Sequence, residues 1–162
     1  MKLNLLCMSL TPYRNNANSN RPYSVDYVTG CIMLLRIRKL ESPIFFDERF
    51  FMYYEDTEIC DRIKNSGHSI IYAPNIVCKH KIQPKIKNRV NSFVFFHSGF
   101  GRILWLRTSF KGPKRYYGYF THVVLFTPYR FLQIIQSGAN IEAMYAWLKG
   151  TKSALLSHFT NQ

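Results

Sequence analysis

The sequence predicts an α/β fold, in which a small mixed domain is followed by a basic helical region. Between residues 25 and 78, apolar runs typical of strands lie on both sides of a short helical pattern. From about residue 85, helical patterns rich in aromatic and basic side chains take over. The charge is uneven as well. Residues 1–61 hold 7 basic and 8 acidic side chains, whereas residues 62–162 hold 15 basic side chains and the single acid Glu142.

The first half of the chain is predicted to contain strands and one helix. Residues 1–24 are expected to form an N-terminal strand and an exposed loop rich in Asn and Pro. Residues 25–84 form the mixed domain, whose first strand, Val25 to Arg36, ends in a continuous apolar run typical of a strand covered on both faces. The other predicted elements are a helix over 57–66 capped by Gly67, and strands at 69–73 and 76–78.

The second half, residues 85–162, is predicted to be helical. The patterns favour helices over 88–106, 120–136 and 141–156, with a loop or break at 111–119 where Gly and Pro are adjacent. The segment 120–136 lacks the roughly 18 consecutive apolar residues of a membrane-spanning helix. It is therefore expected to lie in a membrane interface or to be buried in a helical subdomain.

Length, composition and cysteine spacing limit the classes of protein to which the chain could belong. A length of 162 residues allows one domain with a core, and a hydrophobic content of 47% excludes a disordered tail. The four cysteines are far apart without a CxxC spacing, which favours buried free thiols over disulfides or a zinc site. A strongly cationic second half favours phosphate-bearing partners, namely nucleic acid, anionic lipid or phosphorylated small molecules.

The adjacent acids Glu55 and Asp56 are the most informative pair in the chain. They follow a dense aromatic run and precede the first predicted helix. Neighbouring carboxylates repel each other, and the free N–H groups of a helix N-terminus partly offset that cost. Carboxylates framed by aromatic side chains at an element boundary are candidate site residues. The alternative is that Asp56 simply caps a helix beginning at Thr57.

Three segments together resemble the second half of a family 2 glycosyltransferase domain of the GT-A fold, a Rossmann-like nucleotide-diphospho-sugar transferase fold. The resemblance is strongest to the rhamnosyltransferase-like branch. The segments are VDYVTGCIMLLR (Val25 to Arg36), FDERFFMYYEDTEICDRIKNSG (Phe46 to Gly67) and IIYAPNIVCKH (Ile70 to His80). The resemblance implies a partial GT-A domain that lacks its N-terminal half and is followed by a helical basic tail.

The resemblance also implies roles for the acid pair. Inverting glycosyl transfer needs a general base for the acceptor hydroxyl, and a carboxylate can supply it. In similar enzymes the aspartate of the pair is this base, which here is Asp56, while Glu55 would orient the acceptor sugar or the base.

The remaining predicted site residues surround this pair. Gly30 and Cys31 belong to the region that lines the sugar-binding floor in the family, although a glycine in a strand can equally mark a bulge. Tyr54 and Arg62 complete the predicted substrate-binding set, against the alternatives of core packing for the tyrosine and a structural ion pair for the arginine. His80 is a candidate metal ligand, because a histidine at this point contacts the metal or diphosphate in several GT-A enzymes.

One part of the family pattern is missing. A complete GT-A enzyme holds Mg²⁺ or Mn²⁺ on the diphosphate of its nucleotide-sugar donor through an Asp-x-Asp motif, and this chain has neither that motif nor any acid before Asp26. The simplest interpretation is a fragment: a truncated gene, a split enzyme whose other half is a separate chain, or a miscalled start. The chain alone is expected to bind no metal and to lack transferase activity.

In complete form, the resemblance implies transfer of a sugar such as rhamnose from a nucleotide diphosphate to a saccharide or lipid-linked acceptor in cell-surface polysaccharide synthesis. The basic tail would then hold the protein at the cytoplasmic face of the cell membrane, against an anionic surface. The alternative is a non-catalytic remnant that binds a membrane surface or a partner. Nucleic acid is not expected as a partner, since no recognisable nucleic-acid motif accompanies the charge.

Overall fold

The computed structural model contains two small sheets and a set of helices. It describes residues 2–4, 8–11, 21–36, 45–79, 81, 92–138 and 141–157. The strands are β1 (Lys2–Asn4), β2 (Ser9–Thr11), β3 (Tyr23–Val25) and β4 (Ile70–Tyr72). The helices are α1 (Glu55–Asn65), α2 (Ser92–Ser109), α3 (Gly112–Thr121), a π-helical turn (His122–Phe126), α4 (Thr127–Gln136) and α5 (Ile141–Leu156). The predicted mixture of strands and helices is confirmed, and the GT-A architecture stays a prediction.

Both sheets are antiparallel pairs. β1 pairs with β2, and β3 pairs with β4 so that Val25 lies opposite Ile70. Val25 and Ile70 are buried against Ile59 and Ile63 of α1. The β3–β4 sheet therefore packs one face on α1, and this contact forms the core beneath the candidate site.

The predicted long strand over Val25 to Arg36 is wrong in extent. β3 ends at Val25, and the apolar run that follows Gly30 has no strand conformation. Leu34 is 96% exposed. The strand predicted at 76–78 is likewise absent from the described residues, where an exposed segment follows the turn closed by the Ile76 amide and the Ala73 carbonyl. Both segments lack a neighbouring strand in the described part of the chain, so their β propensity is not realised.

Helix α1 agrees with the sequence at its C-terminus. Gly67 has φ of +79°, the left-handed conformation predicted for it. The Gly67 amide donates to the Lys64 carbonyl and the His68 amide donates to the Ile63 carbonyl. These two bonds are those of a Schellman motif, so the glycine cap prediction is confirmed.

Helices α2 and α5 run parallel to each other and form the centre of the C-terminal assembly. Near their N-terminal halves, Gly99 approaches the Trp147 carbonyl and Gly150 approaches Phe96. Near their C-terminal ends, Arg107 donates to the carbonyls of Ala154 and Leu155. The bounds of α5 are those predicted, whereas the predicted start of α2 at residue 88 lies outside the described residues.

The predicted break at 111–119 is wrong, because this segment is helix α3. Gly112 has φ of +54° and Pro113 occupies the first turn, where its missing N–H costs nothing. The glycine–proline pair therefore begins a helix instead of ending one. Helix α3, the π-helical turn and α4 follow one another without a gap over residues 112–136. None of the helices in the described ranges is both long and apolar enough to cross a membrane.

Buried polar groups join the helices at the π-helical turn. The Arg102 guanidinium of α2 donates to the Met8 carbonyl at 2.8 Å and lies 3.7 Å from the centre of the Phe126 ring. The His122 ring lies 3.2 Å from the Thr151 hydroxyl of α5 through Nε2. Burial, with a contribution from Arg102, lowers the pKa of His122 to about 3, so this histidine is a neutral member of the core.

Candidate active site

The candidate active site is the start of helix α1, and the backbone before it has an unusual conformation. Tyr53 has φ of +66° and Tyr54 has φ of +71°, both in the left-handed region that non-glycine residues rarely adopt. Two such residues in succession turn the chain sharply into α1. Backbone strain of this kind persists where the surroundings enforce it, and it is concentrated at functional sites.

Helix α2 enforces this turn through two contacts. The Tyr54 ring stacks on Trp105 with 5.5 Å between centroids and an interplanar angle of 23°. A Cβ on Gly101 would overlap the Tyr53 carbonyl oxygen, so the glycine lets the strained backbone lie directly on α2. The predicted substrate-binding residue Tyr54 is thus half-buried against the core, and its ring supports the turn from below.

Asp56 lies in the first turn of α1 and is held at both carboxylate oxygens. The Gly30 amide donates to Oδ2 at 2.9 Å, and the Thr57 hydroxyl donates to Oδ1 at 3.2 Å. The N-cap position is occupied by Tyr54, which makes no side-chain capping bond. The alternative in which Asp56 caps the helix is therefore wrong, because the two left-handed tyrosines bring the helix start forward to Glu55.

Glu55, beside Asp56, has part of its carboxylate buried. Its Oε2 atom is buried and has no hydrogen-bond partner among the described residues. Burial raises the pKa of Glu55, and the neighbouring Asp56 charge raises it further. A carboxyl group with an unpaired buried oxygen beside a second carboxylate costs stability in the ionised form, which is the arrangement expected at a site and not on a surface.

Replacing Glu55 with glutamine is expected to stabilise the fold at neutral pH by only a few tenths of a kcal/mol, because the side chain is partly exposed and solvent screens its charge. The native pKa of Glu55 lies above the ordinary value of 4.5. As the pH rises from 4.5 to the native pKa, the unfolded state loses its proton first, so the native state loses stability relative to the unfolded state. The gain from Glu55→Gln should therefore be full above the native pKa and vanish below about pH 4.5. Urea unfolding at several pH values measures it.

The control for that experiment is Glu142→Gln, which removes an exposed carboxylate from the first turn of α5. A negative charge near a helix N-terminus stabilises the helix, so removing it should lower the free energy of unfolding by a few tenths of a kcal/mol. A Glu55→Gln variant that is less stable than the parent at pH 8 would contradict the desolvation argument.

Gly30 and Cys31 are exposed and lie beside the pair. The link to Asp56 runs through the Gly30 backbone amide. A Cβ at Gly30 would lie 3.5 Å from the Asp56 Cβ, an ordinary contact, so the site does not require the glycine for space. Cys31 has an exposed free thiol, and so does Cys78, whereas Cys60 is buried and free. The prediction of free thiols holds for these three cysteines, and the prediction of burial fails for two of them.

Arg62 forms an ion pair within its own helix. Its Nε donates to the Glu58 carboxylate at 2.7 Å, and its Nη2 donates to the Phe45 carbonyl. Arg62 thus ties the segment before the aromatic run to α1, and its described contacts do not include Glu55 or Asp56.

Asp61 organises the site from beneath, although it is not one of the site residues predicted from the sequence. Its carboxylate accepts from the Tyr27 hydroxyl at 2.7 Å and from the Trp105 indole at 2.8 Å, and Lys64 lies 3.2 Å away. Burial and the Asp61 charge raise the pKa of Tyr27. An acid flanked by Cys60 and Ile63 on the apolar side of an amphipathic helix was the available signal, since such an acid must find buried donors.

The aromatic run also borders a cleft of about 640 Å³ between the N-terminal halves of α2 and α5. Its walls are mostly apolar, and Glu142 and Lys149 also line it. Phe93 of its wall contacts the Phe51 ring edge-on, with 5.6 Å between centroids. The aromatic segment that precedes the acid pair therefore contacts one wall of the cleft.

The predicted metal ligand His80 lies outside the described residues. Across the described ranges, no three His, Cys, Asp or Glu side chains gather closely enough to hold a metal ion. The described residues thus do not form the metal site that the resemblance implies for a complete enzyme.

Comparison with known proteins finds a partial similarity to a rhamnosyltransferase. The chain is 31% identical over 70 residues to the N-acetylglucosaminyl-diphospho-decaprenol L-rhamnosyltransferase from two strains of Mycobacterium tuberculosis. The match covers 43% of this chain and 23% of the mycobacterial protein, so the chain spans about a quarter of the length of these relatives. No family model matches the chain, and no solved structure matches it. The chain is distantly related to a glycosyltransferase.

Proposed function

We propose that this chain carries the acceptor-side part of an inverting family 2 glycosyltransferase with a partial GT-A fold. The observation that carries the proposal is the Asp56 carboxylate, which two hydrogen bonds hold at the start of α1 beneath a strained aromatic turn. The distant relation to a rhamnosyltransferase suggests the reaction in which this carboxylate would act, namely glycosyl transfer.

In the proposed reaction Asp56 is the general base. Each of its oxygens accepts one hydrogen bond and keeps a lone pair that can accept another. The acceptor hydroxyl gives its proton to Asp56 as its oxygen forms a bond to the anomeric carbon of the donor sugar. The bond between that carbon and the diphosphate oxygen breaks, the nucleoside diphosphate leaves with the electron pair, and the configuration at the carbon inverts.

Glu55 and the exposed Gly30–Cys31 segment are proposed to position the acceptor sugar beside Asp56. The Glu55 Oε2 atom has no hydrogen-bond partner among the described residues, so it is suited to accept a hydrogen bond from a sugar hydroxyl. Because the described residues form no metal site, no step of this reaction is assigned to a metal ion. Residues outside this chain, either in a longer protein or in a separate chain, would bind the donor.

The acceptor is proposed to be a lipid-linked or free saccharide, and the sugar transferred to be rhamnose or a close analogue. These choices rest on the mycobacterial relative, whose name describes a rhamnosyltransferase acting on a diphospho-decaprenol-linked N-acetylglucosamine. A lipid-linked acceptor would bring the protein to the cytoplasmic face of the cell membrane.

The test is incorporation of labelled sugar in membranes from the source cell. Membranes from parent cells, from cells lacking the gene and from complemented cells are supplied with radiolabelled nucleoside-diphosphate sugars. Deletion is expected to abolish transfer of one sugar to a lipid-linked or saccharide product, and complementation should restore it. The purified 162-residue chain alone should show no transfer. Unchanged incorporation after deletion would refute the transferase proposal and favour a non-catalytic binding module.

A further inference from the structure

The continuous helix over residues 112–136 leaves one apolar face uncovered. Helix α3, the π-helical turn and α4 bury Gly118, Thr121, His122 and Ile134 against the rest of the protein. Elsewhere on this helix, large apolar and aromatic side chains are between 42% and 71% exposed. We name six of them the apolar face, because helical spacing places them toward one side of the helix: Tyr116, Phe120, Val124, Tyr129, Leu132 and Ile135.

The π-helical turn contributes to the continuity of this face. A π-helix has more residues per turn than an α-helix, so each residue advances the chain by a smaller angle about the helix axis. Over the five residues of the π-helical turn these differences add up. They bring Leu132 and Ile135 of α4 back toward the side on which Tyr116 and Phe120 of α3 lie. An uninterrupted α-helix would rotate the second group away from the first.

Charge distinguishes among the occupants that could cover such a face. Residues 92–157 carry eight basic side chains and one acid, Glu142. Lys111 and Lys114 are exposed at the start of α3, and Lys149 and Lys152 are exposed on α5. Two copies of so cationic an assembly repel each other when brought together, whereas an anionic lipid surface attracts them.

We propose that the apolar face is a membrane-docking surface, on which the helix lies in the plane of an anionic bilayer. The aliphatic side chains and Phe120 would enter the boundary between headgroups and acyl chains, where Tyr116 and Tyr129 can keep their hydroxyls among the headgroups. Lys111 and Lys114, which are exposed at the start of the same helix, would bind the negatively charged headgroups. This proposal does not depend on transferase activity, because it concerns lipid alone.

The experiment is co-sedimentation of the full chain with lipid vesicles. Vesicles of neutral phosphatidylcholine are compared with vesicles that contain about a third anionic phosphatidylglycerol. The parent is expected to pellet with the anionic vesicles, and the double variant Phe120→Glu/Leu132→Glu should pellet at least tenfold less. The matched control is Leu34→Glu/Val77→Glu, which adds the same charges at exposed apolar positions elsewhere and should pellet like the parent.

A second measurement locates the contact. Tryptophan introduced by Leu132→Trp should be quenched by vesicles that contain brominated acyl chains, whereas tryptophan introduced by Val77→Trp should not. Failure of the parent to pellet with anionic vesicles, equal loss in the control variant, or a concentration-dependent dimer that Phe120→Glu/Leu132→Glu abolishes would each overturn the proposal. Far-UV circular dichroism of the folded variants separates these outcomes from unfolding.

Discussion

Replacing Asp56 with asparagine is expected to lower sugar transfer by a factor of about 10² to 10⁴ in membranes from cells that carry the variant gene. Asparagine keeps the shape of the side chain and an oxygen that can accept from the Gly30 amide, so the start of α1 should be retained. It lacks a carboxylate that can take the acceptor proton. The change should therefore appear in the rate of transfer, with stability in urea altered by less than about 1 kcal/mol.

Two further variants test whether the loss of transfer is specific to Asp56. Glu142→Gln removes a carboxylate from the α5 segment that lines the cleft and should leave incorporation at the parent level. Glu55→Gln should reduce incorporation less than Asp56→Asn, since Glu55 is proposed to orient the acceptor without taking its proton. Full incorporation by a folded Asp56→Asn protein would remove Asp56 from the chemistry and leave it a structural partner of Gly30.

The elements that sequence reasoning predicted correctly are those whose signals are local. The repeat of Ile59 and Ile63 marked α1, and Gly67 marked its end, because a helix and its cap are specified within one or two turns. The bounds of α5 follow from the same kind of periodicity. Each of these elements carries its own hydrogen bonds, so no distant segment has to be known in advance.

The incorrect predictions fall where the structure depends on distant segments or on ambiguous residues. The run after Gly30 has the composition of a buried strand, but strand formation requires a neighbour, and none lies beside it in the described residues. Gly112 and Pro113 are as suitable for starting a helix as for ending one, and the helix that they start packs Gly118 against Leu106 of α2.

The acid pair was recognisable from sequence, whereas its surroundings were not. Adjacent acids after an aromatic run identified Glu55 and Asp56 as candidates. The left-handed conformations of Tyr53 and Tyr54 depend on the close approach of α2, more than forty residues later in the chain, and they determine where α1 begins. The capping alternative for Asp56 failed for this reason, and the role of Asp61 was missed because its donors lie on other elements.

The second large effect is expected from Gly150→Ala, which should lower the free energy of unfolding by about 2 kcal/mol. A Cβ at this position would overlap the Phe96 carbonyl oxygen and lie 2.9 Å from its carbonyl carbon. These atoms belong to the α2 backbone, so relief requires a shift of one helix against the other, which costs about 3 kcal/mol. The higher helix propensity of alanine returns about 1 kcal/mol. Chemical denaturation measures the difference.

Gly118→Ala is the matched control, because it too adds one methyl group to a buried helical glycine in the same assembly. The new Cβ would lie 2.7 Å from a terminal methyl of Leu106, and a side chain can rotate where a backbone cannot. The control should therefore stay within about 1 kcal/mol of the parent. Equal losses in the two variants would show that the α2–α5 crossing adapts as readily as a leucine side chain. The turn at Tyr53 and Tyr54 rests on α2, so a loose crossing would also leave the acid pair without a rigid support.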